Sequence, residues 1–222
     1  MPRTARIVVP GYPHHVTQRG CRLQQTFFDD SDYRAYLGLL RALKDTAGVD
    51  VLAYCLMPNH VHIVAIPNQK MSLARLFGVA HHRYALRVNA KHGWRGHLWQ
   101  ERFYSFVMDE EHFLAAVRYV EMNPVRAGLS TRPDQWRWSS VHAHLGASSD
   151  PLVATVPVLE QVADWRRFLS QDCPVDKLDD IRKHTRTGHP AGDDLFIRKL
   201  EDVTGRRLRR RKPGRKPLVS RR

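Results

Sequence analysis

The sequence predicts an α+β fold: an antiparallel sheet laid down in the order βαββαβα, followed by a small helical extension and a basic tail. Three observations carry this. Apolar runs of strand length alternate with stretches at helical spacing, two central runs are joined by only two residues, and the composition changes near residue 147.

The first strand is "HHVTQRG", His14 to Gly20, which has strand-forming residues and stops at a glycine. The next stretch, "DDSDYRAYLGLLRALKDTAG", opens with Asp and Ser cap candidates and closes at Gly48. Its apolar positions Tyr33, Tyr36, Leu37, Leu40 and Leu43 recur at helical spacing, so it is an amphipathic helix. "VDVLAYCLM" and "VHIVAIP" flank the turn pair Pro58-Asn59 and form an antiparallel hairpin. A second helix spans Ser72 to about Asn89, with Leu73, Leu76, Phe77, Ala80 and Tyr84 on one stripe. "FYSFVMD", Phe103 to Asp109, is the last strand, and a third helix starts near Glu110 and is ended by Pro124. This order is that of a ferredoxin-like sheet with its helices packed on one face.

Residues 1–146 therefore form the main domain. A linker, "ASSDPLVATVPV", covers 147–158, and a helical extension, 159–204, has candidates around Val162 to Leu169, Asp176 to Lys183 and Asp193 to Val203. The tail 205–222, "GRRLRRRKPGRKPLVSRR", has no acidic residue and repels itself into a disordered basic arm.

With 222 residues, 42% hydrophobic and 26% charged, the chain has enough apolar surface for a sizeable core. No apolar run approaches the roughly 18 to 20 residues that span a bilayer, and the first residues lack the apolar core of a signal peptide, so the expectation is a cytoplasmic protein with no membrane partner. Cys21, Cys55 and Cys173 are too scattered for a disulfide framework or a cysteine metal site, and Cys55 belongs to the core. A net charge of +14 calls for a polyanionic partner, nucleic acid first, because neutralising phosphates releases counterions.

The chemistry-bearing residues lie in two places. In "MPNHVHIVAIP", His60 and His62 point to one face of the strand and Val61 to the other, so the two imidazoles can share a metal. An isolated His-x-His is more often an ordinary strand feature. On the third helix Tyr119 and Asn123 are four apart and share a face. With that helix packed beside the histidine strand, His60, His62 and Asn123 supply three ligands to one divalent cation, with Tyr119 a turn away as nucleophile. A cation at a phosphodiester neutralises developing charge, and it also helps a tyrosine hydroxyl whose ordinary pKa is about 10.

These segments resemble a known family. "NHVHIV" resembles the HUH motif, and "YVEMNPVRAGL" the catalytic-helix segment of single-tyrosine transposases. In order, "MPNHVHIV", "GHLWQERFYS", "RYVEMNPVRAGL" and "WRWSS" resemble the REP-associated tyrosine transposases from Tyr12 to Gly146. The resemblance implies that 1–146 is an HUH nuclease domain requiring Mg or Mn. The implied partner is single-stranded DNA folded as palindromic hairpins. His60 and His62 match the metal ligands, Tyr119 matches the nucleophile, and Asn123 occupies the third-ligand position, where related insertion-sequence transposases often have glutamine. The implied activity is a metal-dependent single-stranded DNA endonuclease and strand transferase acting through a 5′-phosphotyrosine. Two other readings stand beside it: a non-catalytic hairpin DNA-binding protein, and a metal-dependent phosphoesterase that does not use Tyr119. Monomer and homodimer both remain open.

Other histidines carry less. His142 and His144 of "VHAHLG" point about 200° apart on a helix and cannot share a metal. The adjacent pairs His14-His15 and His81-His82 suit solvent or DNA-phosphate contact. Tyr33, Tyr36 and Tyr84 sit on core stripes. Trp94, Trp99, Trp136 and Trp138 are offered for packing before base stacking, and Arg102, Arg118 and Arg126 lie near the site in sequence as candidate phosphate contacts.

Overall fold

The computed structural model describes residues 5–171 and 174–209. Strand β1, His14–Arg19, leads into a single 3-10 turn and then helix α1, Asp30–Ala47. The Asp29 side chain caps α1 by accepting from the amides of Ser31 and Asp32, and Gly48 ends the helix in the left-handed conformation that glycine adopts without strain. β2, Val49–Met57, and β3, His60–Pro67, form the expected hairpin. α2, Ser72–His92, runs almost a turn further than its apolar stripe suggests, to a C-cap at Gly93. β4 is Tyr104–Val107 and α3 is Glu110–Glu121, its N-terminus capped by Asp109 on the His112 amide.

The sheet order is β2-β3-β1-β4, with all three pairings antiparallel. This is the ferredoxin-like α+β arrangement predicted from the element order. The distribution of helices differs in one respect. α1 and α2 cover one face, packing Tyr36, Leu40, Leu76, Phe77 and Tyr84 against Val16, Leu56, Val61 and Ile63. α3 covers the opposite face, packing Phe113, Val117 and Val120 against Ala53, Cys55, Val64 and Phe106. The reason is visible in β2 and β3, whose residues are buried on both sides: a strand with both faces covered reads as a continuous apolar run.

Beyond α3 the chain forms α4, Asn123–Arg126; α5, Val141–His144; α6, Val156–Leu159; α7, Trp165–Ser170; α8, Val175–Thr187; and α9, Asp194–Thr204. The stretch expected as a linker is packed: Val153 bridges Val51 of β2, and Leu152 and Val158 are buried. The extension is built onto the sheet as well, through a bridge between Met108 and Ala191 and through contacts of α8 with β1, β4 and α3. Its apolar residues were too sparse in sequence to reveal that they seal the α3 face. The start of the basic tail is also held, since Leu208 is buried and its amide donates to Glu201. Residues 210–222 of that tail and Cys173 lie outside the described residues. Among the described residues, no helix is long and apolar enough to cross a membrane.

Candidate active site

His60 and His62 enter the site because β3 begins directly after the Pro58-Asn59 turn, and its alternation turns both rings toward α3. Their rings lie edge to face with centroids 4.9 Å apart, and the Tyr119 ring stands 5.6 Å from that of His62. Asn123 reaches the same place by a different route from the one expected. α3 stops at Glu121 and Asn123 opens α4, with Pro124 in its first turn, where a missing N–H costs nothing. Tyr119 and Asn123 still line one cavity of about 570 Å³ with His60 and His62.

The proton positions on both histidines follow from their neighbours. The Asn59 side-chain nitrogen donates to the Leu23 carbonyl, which leaves Asn59 Oδ1 as an acceptor for His60 Nδ1 at 2.6 Å. His60 therefore carries its proton on Nδ1 and a lone pair on Nε2. For His62 the chain of bonds is longer. The Thr185 hydroxyl donates to the Ile181 carbonyl at 2.9 Å and so accepts from His15 Nδ1 at 3.4 Å. His15 Nε2 then accepts from His62 Nδ1 at 3.0 Å, leaving the His62 Nε2 lone pair available. Burial, the neighbouring imidazoles of His60 and His15, and the guanidinium groups of Arg126 and Arg19 hold His62 well below the usual histidine range. Burial, with help from Arg19, brings His60 down to about 4. Both rings are thus neutral at physiological pH, the form in which imidazole binds a metal.

Asn123 is buried, and its Nδ2 is a buried polar atom without a hydrogen-bond partner among the described residues. Rotating the amide end for end places its oxygen there, so the side chain fits a cation ligand. Among the described residues, no three His, Cys, Asp or Glu side chains group as a metal cage. The donor set is two imidazole nitrogens and one amide.

Tyr119 is enclosed by arginines. The Arg126 guanidinium carbon lies 4.1 Å over its ring, and the same side chain donates to the Tyr119 carbonyl. Arg182, on α8, has its pKa raised first by the Asp179 carboxylate and then by hydrogen bonding to the Tyr119 side chain. Arg19, Thr17 and Tyr104 complete the cavity from the sheet, and Thr185 and Arg186 from α8.

Sequence reasoning placed His60, His62, Tyr119 and Asn123, and the fold brings all four together. It missed His15. His14 and His15 are not solvent contacts: both are buried, with His14 bonded to the Tyr12 carbonyl and the Val9 amide. His81 is buried as well, against the Tyr36 hydroxyl at 2.8 Å. It also missed Arg182 and Thr185, because nothing local in α8 signals where it docks. The His15 signal was present: in this strand order β1 lies beside β3, so His15, Thr17 and Arg19 share the face of His60 and His62. His144 does not face a metal but the buried Glu121 carboxylate at 2.6 Å. Of the tryptophans, Trp99 and Trp138 are packed inside, Trp136 bonds the Leu56 carbonyl, and Trp94 is exposed. Arg118 is buried, with its guanidinium 5.5 Å from the Phe168 ring.

Residues 11–123 match the model of the IS200-like transposase family, a stretch containing all four predicted site residues. The chain belongs to this family. As an IS200-like transposase it is a DNA-processing enzyme, and its fold has a solved counterpart. A REP-associated tyrosine transposase bound to a REP hairpin is similar at 18% identity, covering 69% of this chain and 92% of its own, with a TM-score of 0.54. A putative transposase from Deinococcus radiodurans R1 aligns at 20% identity over 54% of this transposase and 96% of its own chain, with a TM-score of 0.38. No curated protein matches this transposase. The family match stops at Asn123, so α8 and its contributions to the cavity lie outside it.

Proposed function

We propose that this transposase is a metal-dependent, single-strand-specific DNA endonuclease and strand transferase that acts beside hairpin DNA through Tyr119. The observation that carries the reading is the meeting of Tyr119 with the two Nε2 lone pairs and the Asn123 amide in one cavity. The hairpin comes from the similar solved transposase, which is bound to one, and accords with the net charge of +14.

His60, His62 and Asn123 would hold the cation, Mg or Mn, and the cation would supply charge neutralisation on the non-bridging phosphate oxygens. The chain's own residues do the rest. Arg182 and Arg126 orient the tyrosine, one bonded to its side chain and the other stacked over its ring. Tyr119 Oη attacks the phosphorus in line, its proton passing to solvent. The new O–P bond replaces the bond to the 3′ oxygen of the leaving strand, which departs as a 3′-hydroxyl after taking a proton. The product is a 5′-phosphotyrosyl enzyme, which retains the phosphodiester's bond energy, so the reverse attack by another 3′-hydroxyl rejoins strands without a nucleotide cofactor.

The test is a denaturing gel of labelled hairpin oligonucleotide incubated with protein and Mn or EDTA. A protein-linked band that needs the metal and disappears in Tyr119→Phe is the expected result. Hairpin binding without any covalent band would favour a binding-only protein, and cleavage surviving in Tyr119→Phe would favour a hydrolytic phosphoesterase.

A further inference from the structure

We infer that a single strand flanking the cleavage point leaves the Tyr119 cavity across the Tyr104 ring and enters a second cavity lined by Arg6, Arg102 and Arg186. This rests on the proposed activity and extends it to the path of the substrate. Thr17 pairs with His62 on one side and with Tyr104 on the other, so the three side chains stand in one row on one face of the sheet. β4 is the edge strand, and Tyr104 at its start is 43% exposed. Its ring borders two cavities: the 570 Å³ cavity of His60, His62 and Tyr119, and one of about 380 Å³ beyond it. Arg186 of α8 also lines both, so the two spaces share a wall and a threshold.

The second cavity has the chemistry of a nucleotide site. None of Arg6, Arg102 and Arg186 forms an ion pair with an acidic side chain among the described residues. The acidic lining residue, Glu101, accepts instead from the Tyr104 hydroxyl at 3.1 Å. Arg6 is held over the Phe103 ring at 3.9 Å, and burial together with Arg102 makes its charge costlier. Guanidinium groups left to repel one another are a ready counter-charge for phosphate, and an exposed phenol ring beside them offers a face for a base. The volume suits about one nucleotide, at the small end of ligand pockets.

Binding rather than cleavage tests the path, so its failure is separable from failure of the catalytic reading. In a Tyr119→Phe background with EDTA, three labelled probes are titrated: a hairpin, the same hairpin with an oligothymidine extension on either side, and oligothymidine alone. Tyr104→Ala and Arg102→Ala/Arg186→Ala should weaken the extended hairpin and oligothymidine by about 5- to 100-fold, the range of one lost stacked base, and leave the plain hairpin unchanged. Tyr104→Phe should restore binding, since stacking needs the ring and not the hydroxyl. Arg75→Ala/Arg83→Ala, which removes an equal charge from the exposed face of α2, should not discriminate between probes. Equal losses on plain and extended hairpins, no loss on either, or failure of the wild-type chain to hold any extended probe more tightly than a plain one would overturn the inference.

Discussion

His15 of β1 and His62 of β3 are joined ring nitrogen to ring nitrogen at 3.0 Å, on a line that continues to Thr185 of α8. An imidazole that touches no substrate thereby decides which nitrogen its neighbour presents.

His15→Ala is accordingly expected to weaken Mn binding about 10- to 100-fold, the usual effect of losing a group that orients a metal ligand. Isothermal titration with Mn checks this, with circular dichroism confirming an intact fold. His15→Gln, able to accept at a similar position, should recover part of the loss.

Arg182→Ala removes the side chain that hydrogen-bonds Tyr119 from α8. The covalent adduct should form more slowly, by about 10-fold, because the tyrosine loses a group that holds it in line for attack. Rates of adduct formation read by denaturing gel against the wild type, with hairpin affinity measured alongside, decide it. A loss of hairpin affinity of the same size would mean that Arg182 holds phosphate instead.

Glu121 is fully buried, accepting from Ser140 Oγ and His144 Nδ1 at 2.6 Å each and from Trp165 Nε1 at 2.8 Å. These bonds tie the end of α3 to α5 and α7. Glu121→Ala leaves the buried His144 Nδ1 and Trp165 Nε1 donors unanswered, while the Ser140 hydroxyl keeps the Tyr54 carbonyl, and should cost about 3 to 5 kcal/mol, measured as the shift of the urea unfolding curve. A cost under about 1 kcal/mol would show that the network contributes little beyond packing.

Burial brings His14 down to about 4 and His81 to about 3. In the unfolded chain both titrate near 6.5, so the unfolded state takes up their protons first as pH falls. Stability from these groups is complete above about pH 6.5 and is lost on acidification toward pH 3, by up to about 1.4 kcal/mol per pH unit for each. Urea midpoints in EDTA should fall from pH 7 to pH 5. His81→Gln, which retains an acceptor for the Tyr36 hydroxyl, should flatten that slope by one histidine's share.

The sheet was readable because its signals are local. The Pro58-Asn59 pair, the caps at Asp29 and Asp109, and the helical spacing of α1 and α2 each name their element without help from afar. His60, His62 and Tyr119 could be singled out because strand and helix periods set which way they face. The location of α8 had no such signal. Its docking against β1 and β4 depends on the shape of the α3 face, which exists only after the sheet is assembled, so Arg182, Thr185 and Arg186 looked like ordinary helix-surface residues. His15 was misjudged for a related reason: a pair of adjacent histidines looks polar until both faces of the strand are known to be covered.

The bond from Thr185 to His15 also bears on synthesis. A ribosome releases β1, the histidine strand and the tyrosine helix well before α8, so an emerging chain carries His60, His62 and Tyr119 for some time before the residue that sets the His62 proton has been made. Until then the imidazole is free to hold its proton on either nitrogen and the cavity lacks a wall. A chain that matures in this order assembles the whole cavity only once α8 has been made.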